Sequence, residues 1–510
     1  MPDYISKVNI INGHLQNKEY DIVITKGTKL FIDYPEQTMC LEILINTYKT
    51  IYNVTNNTEQ MINAIISLTH HLPSNHISSK YIPSYCILHN ELAIIYANSN
   101  KYTEAINCLK KIIAVRNDIP DIYNNMATCH ISLKEYHKAI ICSKISLNLE
   151  KTDNTYRNLA DTNLYIKKYK DSIINYESIK QPTTIDLYNT SFPYLASKQY
   201  LKGFELYENR LADNKIHQQT NQTTRVEIPS LPYWNGKDPC NHLMIIYEQG
   251  IGDNIQYFRF IIELSYRHPE LKITYFCKHI ISHLFNVDSY ENITVIDDSS
   301  PTNITLYDKK IYIMSLPHIL RLEIVTLNPN NYIIRDKTND NIWFNKMTPF
   351  NNKLKVGFMY SGLLFSYIDK QIELKDFQPI CCDENIQTIC LHKMDDKIRG
   401  DFSKIDFASE IFVDEIDTDK AFMDTISILR NIDVLVTIDT SIAHLAGVMG
   451  IKTLLLIGYT SEWRWFDNDD KVWYESVDII RMTEQKPLAD LIPRVKKLLD
   501  AEYVNKRSVE

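Results

Sequence analysis

The sequence predicts a two-part chain of the α + α/β class: an N-terminal α-helical solenoid followed by two doubly wound α/β domains. Three observations predict it. A helical pattern of small and aromatic residues recurs at nearly constant spacing through residues 83–210. From residue 238 onward, short β-branched runs alternate with helical spacers, the pattern of parallel α/β sheets. Between them the polar stretch DNKIHQQTNQTTRVEIPSLP (213–232) marks the change of period. With 510 residues, the chain is too long for a single core.

The recurring unit places a small residue, a tyrosine nine positions later, and a second small residue three beyond that. It reads Ala93/Tyr102/Ala105, Ala127/Tyr136/Ala139 and Ala160/Tyr169/Ser172, with a looser copy at Tyr200 and Gly203. Successive tyrosines lie 34, 33 and 31 residues apart. Each unit reads as two amphipathic helices joined by a short polar turn. Small residues let the two helices approach, and the tyrosine fills the space between units. Helical repeats are expected over 36–212, with weaker units in 36–75. The reading of residues 1–35 stays open at this point: DIVIT and KLFID are candidates for a small hairpin or for an N-terminal cap. Residues 213–237 are the linker.

The second half divides into α/β domains at 238–345 and 352–500. Strands are expected at HLMIIYE, LKITYFC, ITVID, KIYIMSLP, KLKVGFMYSG, IQTICLH, IDVLVTID and IKTLLLIG. Ligands of such sheets sit beyond the carboxyl ends of the strands. Gly250, Gly252 and Asp253 occupy the loop leaving the first strand. This is neither the dinucleotide fingerprint, because Ile255 stands at the third glycine position, nor a P-loop, because no G-K-[ST] follows. On spacing alone, a structural turn and a ligand-facing loop are equally open.

A second constellation lies in IDVLVTIDTSIAHLAGVMGIKTLLLIG, which reads as strand, sharp turn, helix, strand. Asp439 closes the strand, Thr440 or Ser441 caps the helix, and Gly450 ends it. The free amides and positive dipole end of that helix make an anion site. His444 stands four residues after Thr440, on the same face, and helical side chains lean toward the N-terminus. A lone histidine on an apolar helix is more often a core residue; this position favours a ligand role.

The ordered set EQGIGDNIQYFRF, MSLP, VGFMYSG, VTIDTSIAHLAGVMG and EWRWF…VWYESVDIIR resembles tetratricopeptide-repeat proteins with a C-terminal glycosyltransferase family 9-like domain. That domain is related to the ADP-heptose heptosyltransferases and has the GT-B fold. GFELYENRL and LPYWNGKDP match the junction of those proteins, and the resemblance spans about residues 85–485. It implies that Asp253 is the catalytic base. It also implies that Gly250 and Gly252 form the glycine-rich loop, and that Asp439, Thr440 and His444, with Ser441 between them, hold the donor diphosphate and sugar. Arg464 of the W-R-W motif, between Trp463 and Trp465, either contacts the donor or packs among its aromatic neighbours. The chain departs from the pattern after Ser361-Gly362, where relatives show a basic stretch ending in Arg-Ser. Here Ile372 and Glu373 take those places, and Lys370 is the remaining cation.

The function expected from this resemblance is inverting transfer of a sugar from a nucleotide-sugar donor, with no cofactor and no metal. DNDD (467–470) reads as a solvated turn. The acceptor, or an assembly partner, is expected to be a protein or peptide in the groove of the repeats. The alternative is a repeat scaffold or adaptor whose transferase-like domain no longer catalyses. A net charge of -8 does not suggest nucleic-acid binding. No apolar run reaches membrane-spanning length, and the start lacks the pattern of a signal peptide. Ten cysteines without a C-x-x-C pair read as reduced thiols of a cytoplasmic protein.

Overall fold

The computed structural model describes residues 2–72, 78–212, 228, 230–299, 302–323, 331–361, 372–392, 396–402, 416–418, 420–465 and 471–509. It divides into two compact units, Met1–Pro182 and Thr183–Glu510.

The first unit is a helical solenoid whose helices pack in chain order. The described helices are α1 (Pro2–Gln16), α2 (Tyr20–Asp33), α3 (Thr38–Thr55), α4 (Thr58–Thr69) and α5 (Ile82–Asn98). They continue with α6 (Tyr102–Val115), α7 (Pro120–Ser132), α8 (Tyr136–Leu149), α9 (Asp153–Tyr165) and α10 (Tyr169–Glu177). Every repeat tyrosine opens the second helix of its pair. The small residues Ala93, Ala105, Ala127, Ala139, Ala160 and Ser172 are all buried, and the Ser172 hydroxyl donates to the Ala160 carbonyl at 2.8 Å.

One turn geometry joins the pairs. The second residue before each second helix is left-handed: Lys18, Asn56, Asn100, Lys134 and Lys167, with φ between 52° and 64°. After four of them the next amide reaches back five residues, as in Glu19 to His14 (3.0 Å) and Glu135 to His130 (2.8 Å), closing a Schellman motif.

The small hairpin expected at DIVIT and KLFID is therefore not formed. DIVIT and KLFID lie in α2. Their β-branched residues favour a strand locally, but Val23, Gly27, Leu30 and Phe31 are buried at helical spacing. A Cβ on Gly27 would lie 2.8 Å from Leu44 Cδ2, so the glycine brings α2 close to α3.

The second unit begins with another helical pair, α11 (Thr184–Ala196) and α12 (Tyr200–Tyr207). It has the same turn, with Lys198 at φ 63° and the Gln199 amide bonded to the Tyr194 carbonyl. Two parallel sheets follow. The first has strands β1 (His242–Ile246), β2 (Lys272–Cys277), β3 (Ile293–Asp297) and β4 (Lys309–Tyr312) in the order β3-β2-β1-β4. The second has β5 (Leu354–Met359), β6 (Ile386–Cys390), β7 (Val434–Ile438), β8 (Thr453–Ile457) and β9 (Val477–Arg481) in the order β6-β5-β7-β8-β9. β6, β7 and β8 are buried throughout, as strands covered on both faces must be.

Helix α13 (Ile251–Arg267) connects β1 to β2. Helix α14 (Lys337–Met347) lies between β4 and β5 in the chain and packs on α15 (Met423–Asn431), where Trp343 Nε1 donates to Asp424 Oδ1 at 2.8 Å. Helix α16 (Ser441–Met449) connects β7 to β8, and α17 (Ile492–Val509) closes the chain. All ten cysteines are free thiols. No described helix is long and apolar enough to cross a membrane.

Candidate functional site

In an open parallel sheet the ligand crevice opens where the strand order reverses, outside the carboxyl ends. The first sheet reverses between β1 and β4, and the second between β5 and β7. The loops at these points are Glu248–Gly250 and Ile313–Ser315 in the first domain, and Tyr360–Ser361 and Asp439–Thr440 in the second. Both sequence-derived motifs thus leave strands that flank a reversal.

The two motifs also touch. Helix α13 packs against α16, and a Cβ on Gly252 would lie 2.8 Å from His444 Cδ2 and 3.2 Å from Ser441 Cα. Gly252 therefore allows the first turns of two helices from different domains to meet. The left-handed residue of the loop is Gln249, at φ 65°, while Gly250 is the N-cap of α13 at φ -80°.

Asp253, in the first turn of α13, is partly exposed. Its Oδ2 accepts from the Gly250 amide at 2.9 Å, satisfying one of the orphan donors of the helix start. Its Oδ1 lies 2.8 Å from Arg464 Nη2. That contact is an ion pair by distance, but the N–H is not aimed along it, and Arg464 Nε and Nη2 lack hydrogen-bond partners among the described residues. Both carboxylate oxygens keep lone pairs for another donor.

Arg464 is buried between the Trp463 and Tyr257 rings, 5.0 and 5.8 Å from their centroids, and is also paired with Glu462. Burial opposes its charge, yet Glu462 and Asp253 outweigh this and hold it firmly protonated. Arg464 thus packs among aromatic rings with the carboxylate of Asp253 as an added partner, and its Nε and Nη2 keep hydrogen-bonding capacity.

Helix α16 begins without a side-chain cap: the Thr440 hydroxyl turns instead to Met359 Sδ at 3.6 Å. Gly450 ends the helix in the left-handed region at φ 73°. His444 is buried, stacked on Trp465 with ring centroids 5.2 Å apart, and its Nδ1 lies 3.0 Å from the Tyr474 hydroxyl. Burial pushes its pKa down to about 4, against the pull of Asp439 and Asp253. At neutral pH it is an uncharged imidazole.

Arg259 fastens the same junction from α13. Its Nη1 donates to the Trp473 carbonyl at 3.0 Å, and its guanidinium lies 4.8 Å from the Tyr474 ring centroid. Lys370 and the DNDD segment lie outside the described residues. Ile372 is buried in the second domain's core with Tyr360 and Phe377, an apolar core residue at the position where the resemblance implies a cation. Among the described residues, no group of three or more His, Cys, Asp or Glu side chains is placed to hold a metal.

No protein-family model and no curated protein matches the chain. Solved structures similar to it include the ADP-heptose lps heptosyltransferase II of E. coli. That structure is 12% identical, covers 52% of this chain and 99% of its own, and has a TM-score of 0.39. The glycosyl transferase family 9 from Veillonella parvula DSM 2008 is 10% identical over 51% of this chain and 98% of its own, with a TM-score of 0.37. A tetratricopeptide repeat protein from Parabacteroides merdae ATCC 43184 is 11% identical over 43% of this chain and 88% of its own, with a TM-score of 0.32. Likenesses of this degree transfer no residue roles.

The architecture rests on the chain's own geometry. It is a tetratricopeptide-like helical array followed by a GT-B-type pair of α/β domains. Several residues of the junction were not singled out from sequence. Tyr474 supports His444 from another segment. His392, two residues beyond the end of β6, accepts from the Tyr360 and Ser361 amides at 3.1 and 3.2 Å, which requires a lone pair on Nε2. Arg210 and Glu248 form a fully buried pair. The signals were faint: a histidine just beyond a strand, and an arginine in an otherwise ordinary helical turn.

Proposed function

We propose that the protein is an inverting glycosyltransferase that moves a sugar from a nucleotide-sugar donor to an acceptor hydroxyl. One observation carries this reading. Asp253 of the first domain and the uncapped start of α16 in the second meet at a single junction, across Gly252. A base and an anion site on facing domains suit a reaction in which a hydroxyl loses a proton while a diphosphate departs.

In this reading Asp253 accepts the proton as the acceptor oxygen attacks the anomeric carbon. The bond from that carbon to the diphosphate oxygen breaks, and the electron pair leaves with the nucleoside diphosphate. Negative charge develops on the diphosphate and is met by amides preorganised at Thr440–Ile442. A helix N-terminus contributes roughly 0.3–1 kcal/mol, and more when partly buried. His444, being neutral, adds one ordinary hydrogen bond of about 0.5–1.5 kcal/mol. Gly250, Gly252, Asp439 and Lys370 complete the proposed donor surroundings, and Arg464 serves by orienting Asp253. The step is proposed to need no divalent ion. The concave face of the repeats would recruit a protein or peptide acceptor. The free cysteines support a cytoplasmic setting.

A second reading, a repeat scaffold that no longer catalyses, is favoured by Ile372 in the core and by the pairing of Asp253 with Arg464. One experiment separates the two. Hydrolysis of UDP-, GDP- and ADP-linked sugars is measured with magnesium and with EDTA, on wild type and Asp253→Asn. Positioned acid–base groups contribute about 10²–10⁴-fold. The proposal expects a loss of that order in the variant, and equal wild-type rates in both media. An undiminished rate removes Asp253 from the mechanism, and no turnover of any donor favours the scaffold.

A further inference from the structure

The reversal point of the first sheet is occupied by protein. Arg210, just beyond α12, is buried, and its guanidinium spans the two carboxyl ends that flank this point. Its Nε donates to Glu248 Oε1 and its Nη2 to Glu248 Oε2, both at 2.9 Å, beyond the end of β1. The same Nη2 donates to Ser315 Oγ at 2.7 Å, beyond the end of β4. Nη1 completes the set on Glu208 Oε1 at 2.6 Å and the Tyr207 carbonyl at 3.2 Å. One residue further along the loop, Gln249 Nε2 donates to the Tyr207 hydroxyl at 2.6 Å.

Two consecutive loop residues, Glu248 and Gln249, are thus held by α12 and its last turn. These are the residues immediately before Gly250, whose amide holds Asp253. The same helix reaches the second domain, where Phe204 meets Trp463 edge-to-face at 6.0 Å between centroids, next to Arg464. A bidentate guanidinium–carboxylate pair fixes orientation as well as position. Buried ion pairs are poor sources of stability, because desolvation offsets most of their attraction. A bare stability role therefore explains the pair badly, whereas aiming a loop explains it well.

We propose that Arg210 is a positioning residue: through Glu248 it sets the loop that carries Gly250 and Asp253, which makes the α11–α12 pair part of the transferase site rather than a further docking repeat. The proposal rests on the transferase reading for its link to turnover but not for its structural content. The loop conformation, with Gln249 held left-handed, is maintained by a helical pair outside both sheets. Any acceptor must then approach Asp253 from a direction other than the first sheet's own crevice, which Arg210 closes.

The test uses the full chain with Arg210→Met, Glu248→Leu, the double variant and Arg210→Lys. Single truncations strand a buried charge and should lower the thermal midpoint, while the double variant should recover most of it. A merely structural pair predicts that everything else recovers as well. The positioning role predicts otherwise. Amide hydrogen exchange at residues 249–254 should stay at least about tenfold faster than wild type in the double variant. Donor turnover should stay down by a similar factor, in line with the cost of small misplacements. Arg210→Lys keeps the charge without the fork, so it covers the case of a misfolded double variant and should show the same faster exchange. Wild-type exchange and turnover in a folded double variant, or in Arg210→Lys, would overturn the proposal. If wild type turns over no donor, the transferase reading fails alone, and exchange still decides whether Arg210 sets the loop.

Discussion

A methyl group at position 252 would sit 2.8 Å from His444 Cδ2 and 3.2 Å from Ser441 Cα. The imidazole, stacked on Trp465, and the backbone at Ser441 leave little room to yield. Gly252→Ala should therefore cost about 1–3 kcal/mol, the usual range for overpacking, measured as a shift in denaturant midpoint. Unchanged stability would mean that the two helices are not in close contact. His444 supplies the pH dependence. Its folded pKa of about 4 lies below the ordinary value of 6.5, so between those limits the unfolded chain binds the extra proton. Stability is full above about pH 6.5 and falls as the pH drops toward 4, by on the order of 3 kcal/mol for this one group. His89 shifts the same way, so the His444 share is the difference between wild type and His444→Gln. An NMR titration midpoint at or above 6 for His444 would contradict its burial. The position of His444 on its helix was legible from the four-residue spacing to Thr440. Its neutrality was not, because Trp465 and Tyr474 come from segments whose approach no local pattern encodes.

Among elements, eight of the nine described strands fall on the runs expected from sequence; β9 (Val477–Arg481) was not among them. They were read by β-branched content and flanking turns, because periodicity alone does not separate a short buried strand from a buried helix. The first helical pair was misread for an instructive reason. DIVIT carries a strand-like local composition, but Lys18-Glu19-Tyr20 repeats Lys134-Glu135-Tyr136 letter for letter, and the two turns share one geometry. The signal lay in the turn rather than in the helix. Left-handed backbone is costly for residues with a Cβ, by about 1–2 kcal/mol, and worst for β-branched ones. Lys134 already bears that cost, so Lys134→Val, with its β-branch, should lower the thermal midpoint further, while Lys134→Gly should match or exceed wild-type stability. Equal thermal midpoints for the two variants would argue against the left-handed turn.

At the scale of the whole molecule, periodicity foretold two kinds of architecture but not the junction inside the second unit. Gly252 with Ser441, Asp253 with Arg464, and Arg210 with Glu248 are far apart in sequence, and nothing in a helical or strand period brings them together. The family resemblance supplied the expectation that the glycine loop and the D-T-S-x-x-H element act jointly. The packing of α13 on α16 brings the two elements into contact. The proposed transferase must bind a nucleoside diphosphate between the two α/β domains, with its phosphates at the start of α16. The most direct measurement is calorimetry of the full chain with ADP, GDP, UDP and the corresponding nucleosides, on wild type and His444→Ala. At least one diphosphate should bind wild type well below millimolar concentration and far more tightly than its nucleoside. Loss of the neutral imidazole hydrogen bond should weaken that diphosphate by about tenfold while barely affecting the nucleoside. Failure of all three diphosphates to bind wild type at millimolar concentration would contradict the proposal.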